Sequence, residues 1–102
     1  MQKYNVIRTE YADERMQDKL EYIRRIFSNI QAYEHLKTAI EDVEISLSYN
    51  AEFNRPHIDN NGNEYRYAYV DVGEGYYLLY RIEYDTVVVI DCLHKRELRE
   101  IP

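Results

Sequence analysis

The chain has no tryptophan, one cysteine, two prolines and three glycines, and its basic side chains are outnumbered by acidic ones. The lone Cys92 excludes an internal disulfide and any multi-cysteine zinc site, and it suits a reducing cytosol. With 13 Lys and Arg against 19 Asp and Glu the formal charge is −6, which removes bulk attraction to nucleic acid or to an anionic membrane. Any phosphate contact then has to be local. The deficit is evenly spread: residues 1–63 hold eight basic and eleven acidic side chains and residues 64–102 hold five and eight, so each half is net −3 and neither is a basic platform. No apolar run approaches the roughly 20 residues of a membrane span, and the first eight residues lack a signal-peptide core. These absences predict a soluble, cytoplasmic protein with no membrane partner. Internal repeats and low-complexity segments are also missing.

What remains is 102 residues, 45% of them hydrophobic, enough for one compact domain over 1–102 with a core that needs no staples. Twelve tyrosines are the one compositional excess. Their rings pack against a core while the hydroxyl stays wet, which alone names no function.

The period of the hydrophobic pattern changes near the middle of the chain. Lys3 to Thr9 reads as a short strand carried by Tyr4, Val6 and Ile7, and Thr9 can cap a helix begun at its end. Ala12, Met16, Leu20, Ile23, Phe27 and Ile30 then recur at spacings of four and three, one stripe of an amphipathic helix. Ser28 with Gln31 three residues later forms a candidate capping box, after which Leu36, Ile40, Val43 and Leu47 repeat the stripe. Two such helices joined by a tight corner make an antiparallel hairpin. Tyr49 to Asn63, with Asn-Arg-Pro at 54–56 and Asp-Asn-Asn-Gly at 59–62, reads as the longest irregular stretch.

Three strands are expected next, at Glu64 to Val72, Gly75 to Tyr84 and Thr86 to Leu93, with separators so short that only antiparallel hairpins fit. Val87-Val88-Val89-Ile90 is apolar on both faces and therefore central, with the first strand available to close the sheet. The expected fold is α+β: an N-terminal strand and a helix hairpin packed on a mostly antiparallel sheet of about four strands.

This order, together with Gly75-Tyr76-Tyr77-Leu78-Leu79-Tyr80-Arg81-Ile82, an acidic turn, Val87-Val88-Val89-Ile90 and Leu93-His94-Lys95-Arg96, resembles the RelE/ParE superfamily of bacterial type II toxins. The likeness runs over nearly the whole chain and includes Arg55-Pro56 after the helices. It implies a toxin neutralised by a cognate antitoxin in a hetero-oligomer, with no cofactor. Two activities are found in that superfamily. ParE-like members act on a protein target, DNA gyrase, and RelE-like members cut mRNA on the ribosome; a degenerate member that only binds antitoxin is a third reading. Fold alone does not choose among them.

RNA cleavage through the 2′-hydroxyl needs a proton acceptor, a proton donor for the leaving oxygen, and cations for the phosphate. The resemblance gives His94 and Arg96 as the catalytic candidates, with Arg66, Arg81, Lys95, Arg99 and Tyr77 as substrate-binding candidates. Tyr77 stands where cleaving members carry arginine, and their Lys-x-Lys element is replaced by Tyr65-Arg66-Tyr67-Ala68-Tyr69. Those departures and the acidity favour the ParE-like reading.

Each candidate has a plainer alternative. His94-Lys95-Arg96 reads equally as a solvated tail pairing with Glu97 and Glu100. Tyr65, Tyr67 and Tyr69 share one strand face, opposite Arg66, Ala68 and Val70, and either stack bases or pack beneath the helices or against a partner. His57 and Asp59 are two ligands on a loop and fall short of a metal site, so no metal is expected. His35 belongs to the second helix, at the surface or half buried. Cys92 is expected to be a packed small residue. Asp91, a carboxylate in an apolar strand, needs a partner, for which Arg81 is the candidate.

Overall fold

The computed structural model describes residues 2–26, 28–73 and 75–100, with the side chains of Arg99 and Glu100 excepted. Phe27, expected in a helix stripe, Arg99, a substrate-binding candidate, and Glu100, expected to pair with the basic tail, therefore lie outside the described side chains.

The chain runs β1 (Asn5–Arg8), α1 (Glu10–Ile26), α2 (Ile30–Asn50), a short 3-10 turn (Ala51–Phe53), β2 (His57–Ile58), β3 (Glu64–Asp71), β4 (Gly75–Glu83), β5 (Thr86–His94) and a second 3-10 turn (Glu97–Glu100). The fold is α+β, a helix hairpin on a mostly antiparallel sheet, as its sequence pattern predicts. The sheet has five strands rather than four, in the order β1-β5-β4-β3-β2. The extra strand comes from the stretch expected to be irregular, where His57 and Ile58 pair antiparallel with Tyr65 and Glu64. Asp59 closes that hairpin by accepting from the Asn61 and Asn63 amides, both at 2.9 Å, and this is the role of the His57/Asp59 loop. No helix among the described residues is long and apolar enough to cross a membrane.

β5 is interior, parallel to β1 on one side and antiparallel to β4 on the other, which accounts for its two apolar faces. α1 buries Ala12, Met16 and Leu20, and α2 buries Leu36, Ile40 and Leu47, against Ala68, Val70, Leu78, Tyr80, Val87, Val89 and Cys92 of the sheet. Val87 and Val89 alternate regularly, yet Cys92 also reaches this core. A bulge makes this geometry work: the register jumps from Tyr80↔Val89 to Leu79↔Asp91, leaving Ile90 as the extra residue and resetting the phase of the strand.

The helix corner is capped by Asn29 and not by the Ser28 box. Asn29 has extended backbone and its side-chain oxygen accepts from the Ala32 amide at 3.0 Å, while Ser28 sits at φ 47° and turns the corner. Ser28 is left-handed because the chain reverses there, so it is not free to cap. Asn29→Ala is expected to destabilise the protein by about 1 kcal/mol, measured by urea unfolding, with Ser28→Ala changing little. A larger loss in Ser28→Ala than in Asn29→Ala would reverse this assignment.

Candidate functional site

The helices cover one face of the sheet and leave the other open. Alternation from the buried Ala68 and Val70 sends Tyr65, Tyr67 and Tyr69 to the open face, and alternation from Leu78 and Tyr80 sends Tyr77, Leu79 and Arg81 there. The tyrosine row therefore does not pack beneath the helix hairpin. The small residues Ala68 and Val70 take that position because α2 crosses close to β3.

On the open face the rings form a continuous band. His57 stacks on Tyr65 at 5.7 Å, Tyr65 meets Tyr67 edge-on at 5.6 Å, Tyr67 meets Tyr77 at 6.4 Å, and Tyr77 meets Tyr69 at 5.4 Å. His57 also contacts Tyr67, so the short β2 strand is what extends the band past the edge of β3. Tyr77 lies across from Leu93, and the backbone register places Tyr69 opposite Tyr77. Burial among these rings, then the neighbouring Tyr65, pushes the Tyr67 phenol up to about 12, so it stays a neutral donor and acceptor at physiological pH.

Arg81, on this face, is bonded to Glu83 at 2.6 Å. It is not the partner of Asp91. That carboxylate is turned by the bulge toward α1 and bonds Arg15 at 2.9 Å. Sequence distance concealed the pair, since Arg15 lies 76 residues away and its place on α1 is set only by packing.

Arg66 is on the helix side of β3 and donates to the carbonyl oxygens of Glu52 at 2.8 Å and Asn54 at 2.7 Å, with Glu64 at 2.9 Å. Its guanidinium holds the turn after α2 and offers nothing to a phosphate on the open face.

His94 and Arg96 come together elsewhere, in a cavity of about 510 Å³ at the corner end of the helix hairpin. Tyr22, Ile23, His35, Tyr76 and Val72 share its walls. His94 packs edge-on against Tyr76 at 5.2 Å, and its Nδ1 accepts from the Arg96 amide at 3.3 Å, which calls for the tautomer with hydrogen on Nε2. Among the described residues no carboxylate pairs with the Arg96 guanidinium. Of the two tail carboxylates, Glu97 is turned away from Lys95 and Arg96: it bonds Arg15, bonds Lys19 at 3.0 Å, and accepts the His94 amide at 2.9 Å, while the Glu100 side chain lies outside those described. Lys95 lies beside β4, its amide donating to the Gly75 carbonyl at 2.6 Å, and a Cβ on Gly75 would come within 2.8 Å of the Lys95 side chain.

The candidate residues thus divide. His94 and Arg96 share the cavity; Tyr77 and Arg81 lie on the open face; Arg66 is structural; Lys95 is at the strand end. Cys92 is packed as expected, and burial pushes its thiol up to about 11, which makes it a poor nucleophile. His35 is the residue that the sequence did not single out for this cavity. Its spacing on α2 carried no signal, because only the hairpin corner brings it near His94. Among the described residues no three His, Cys, Asp or Glu side chains cluster to hold a metal.

No family model and no curated protein matches the chain.

Proposed function

We propose that this chain is the toxin of a type II toxin–antitoxin pair, of the RelE/ParE kind, and that it acts by binding a protein target. The resemblance implies DNA gyrase as that target and a cognate antitoxin as its neutralising partner. One observation carries the choice of a protein over RNA: the open sheet face presents a continuous band of rings with its own arginine already bonded to Glu83, and Arg66 is committed to the backbone behind it. Aromatic rings with hydroxyl tips, little free cation and a formal charge of −6 suit a protein contact. They give a polyanion little to hold.

A second reading has its own support. Two imidazoles, an arginine that pairs with no carboxylate among the described residues, and two phenols line one cavity, a set able to serve acid–base cleavage of RNA. Controlled expression in a bacterial host, with and without the neighbouring gene, separates the two. The expected result is growth arrest relieved by that gene, altered plasmid supercoiling, and intact mRNA ends. Tyr67→Ala and Tyr77→Ala, both off the core, should relieve the arrest while His94→Ala and Arg96→Ala should not. Ribosome-dependent cuts abolished by His94→Ala and Arg96→Ala would establish the nuclease instead. Normal growth in both strains would leave a member that retains antitoxin binding without toxicity.

A further inference from the structure

The cavity that holds His94 and Arg96 has an apolar floor and a polar rim. The floor is continuous with the core: Leu36 is 2% exposed, and Ile23, Val72 and Tyr76 are half-buried against the core residues. The rim is open to solvent, with His35, Asn29 and Arg96 exposed and His94 half-buried. Its walls come from α1, α2, the turn between β3 and β4, β4 itself and the end of β5, so distant parts of the chain meet around one space. At about 510 Å³ it is of the size that small ligands fill.

Charge around this space runs against that of the protein. The chain has 19 Asp and Glu and a formal charge of −6, yet among the described residues no carboxylate lines the cavity, while Arg96 and two histidines do. Asn29 and Ala32 bring the first turn of α2 into the wall, and that turn carries no acidic side chain to offset the positive end of the 21-residue helix. The negative end of α1, at the same corner, has Arg24 and Arg25 in its own last turn. His94 accepts the Arg96 amide at Nδ1, which makes its Nε2 a donor. All of this favours an anion at the rim. A polyanion would need the cations to continue as a track, and Arg66 and Arg81 are bonded elsewhere, to the carbonyls of Glu52 and Asn54 and to Glu83.

We propose that this cavity binds a small organic acid, with its apolar body on Leu36, Ile23 and Val72 and its carboxylate at Arg96 and the two imidazoles. A guanidinium takes a carboxylate through two parallel bonds, and a single arginine on the rim matches a monoanion better than a phosphate dianion. The apolar floor supplies the rest of the affinity by burying the body of the ligand. The cavity lies on the helix side of the sheet and the aromatic band on the other, so the ligand is compatible with a protein target bound to that band. It is a discrete pocket for a small molecule, in place of a cleft for RNA.

The test uses the purified chain, with phenylbutyrate as the probe and the neutral phenylbutyramide as its control. Side-chain NMR should show the Arg96 guanidinium signal and the imidazole signals of His35 and His94 moving saturably with phenylbutyrate, with a dissociation constant of roughly 1 mM or below. At about ten times that concentration the thermal midpoint should rise by about 5 °C or more. The amide should bind about ten-fold more weakly, and phenyl phosphate no more tightly than the acid. Arg96→Gln should weaken phenylbutyrate about ten-fold and Arg96→Lys less, since lysine keeps the charge and loses the fork. His35→Gln should weaken it about three-fold. All three variants change exposed positions and should leave the midpoint of the unliganded chain in place. Equal binding of acid and amide, or no movement of these three side-chain signals, would overturn the proposal. Tighter binding of phenyl phosphate would overturn the carboxylate, and an oligouridylate that moves the same signals at lower concentration than phenylbutyrate would give the cavity to RNA.

Discussion

Tyr80→Ala is expected to lower stability by roughly 3–5 kcal/mol, which for a domain of this size moves the thermal midpoint down by about 15–30 °C. Tyr80 is fully buried at the centre of β4, facing the helices, and is the largest of the fully buried side chains. Its ring fills the space where α2 ends. Its hydroxyl donates to the Ala51 carbonyl at 2.6 Å and accepts from the Asn54 side chain at 3.0 Å, and burial raises its pKa, so it stays protonated for this role. The residues it holds, 51–54, are those that Arg66 also clamps and from which β2 departs. Deleting the ring therefore opens a cavity and orphans two polar groups in the turn that carries His57 to the aromatic band. Tyr80→Phe separates the parts: the ring remains, and the expected loss is about 1–3 kcal/mol from the unpaired Ala51 carbonyl. Urea unfolding followed by circular dichroism measures both. Wild-type stability in Tyr80→Phe would mean that the hydroxyl holds nothing.

Tyr80 also illustrates what the sequence makes legible. The alternation in Gly75 to Glu83 and the four-and-three spacing of Met16, Leu20 and Ile23 and of Leu36, Ile40 and Val43 are local signals, and the elements they predict are the ones present. The interior place of β5 follows from its run of valines. What local pattern does not carry is the partner of a charged residue. Asp91 demanded a partner by its apolar setting, and an adjacent strand was the natural place to seek it, but a one-residue bulge at Ile90 turned it toward Arg15 on α1. The same holds for the site. The tyrosine row was visible as three rings on one face, whereas the face itself was decided by which neighbours were small enough to pass under α2. Joining the row to Tyr77 and His57 required the register of three strands. His35 and His94 share a cavity only because the Ser28–Asn29 corner sets the angle of the hairpin. β2 was missed because two residues are too few to show a period.

Arg15→Ala is the second large effect, an expected loss of about 2–3 kcal/mol at pH 7, below the range for breaking a fully buried pair because both partners keep some contact with water. Arg15 spans two carboxylates, Asp91 at the bulge and Glu97 in the tail, and Asp91 is the more buried. Without the guanidinium, Asp91 keeps the Cys92 amide at 2.7 Å and no cation among the pairs described. The loss should also depend on pH. Burial works against the Glu97 carboxylate, but the His94 amide, Arg15 and Lys19 outweigh it and hold the group down at about 2. An acid whose pKa is lowered on folding contributes stability that is complete above its unfolded value, roughly 4.3, and is lost as the pH falls toward the folded one. The gap between wild type and Arg15→Ala should therefore be widest above pH 5 and narrow steadily to pH 2, in urea unfolding at each pH, with Arg15→Met as the control that keeps the packed stem. A gap of constant size down to pH 2 would mean that Arg15 stabilises through its stem alone. The coupling reaches the cavity as well: Glu97 accepts the amide of His94, so the variant should loosen the turn that presents His94 and Arg96, read as faster exchange of the His94 amide at neutral pH. Unchanged exchange there would confine the latch to the tail and separate it from the cavity.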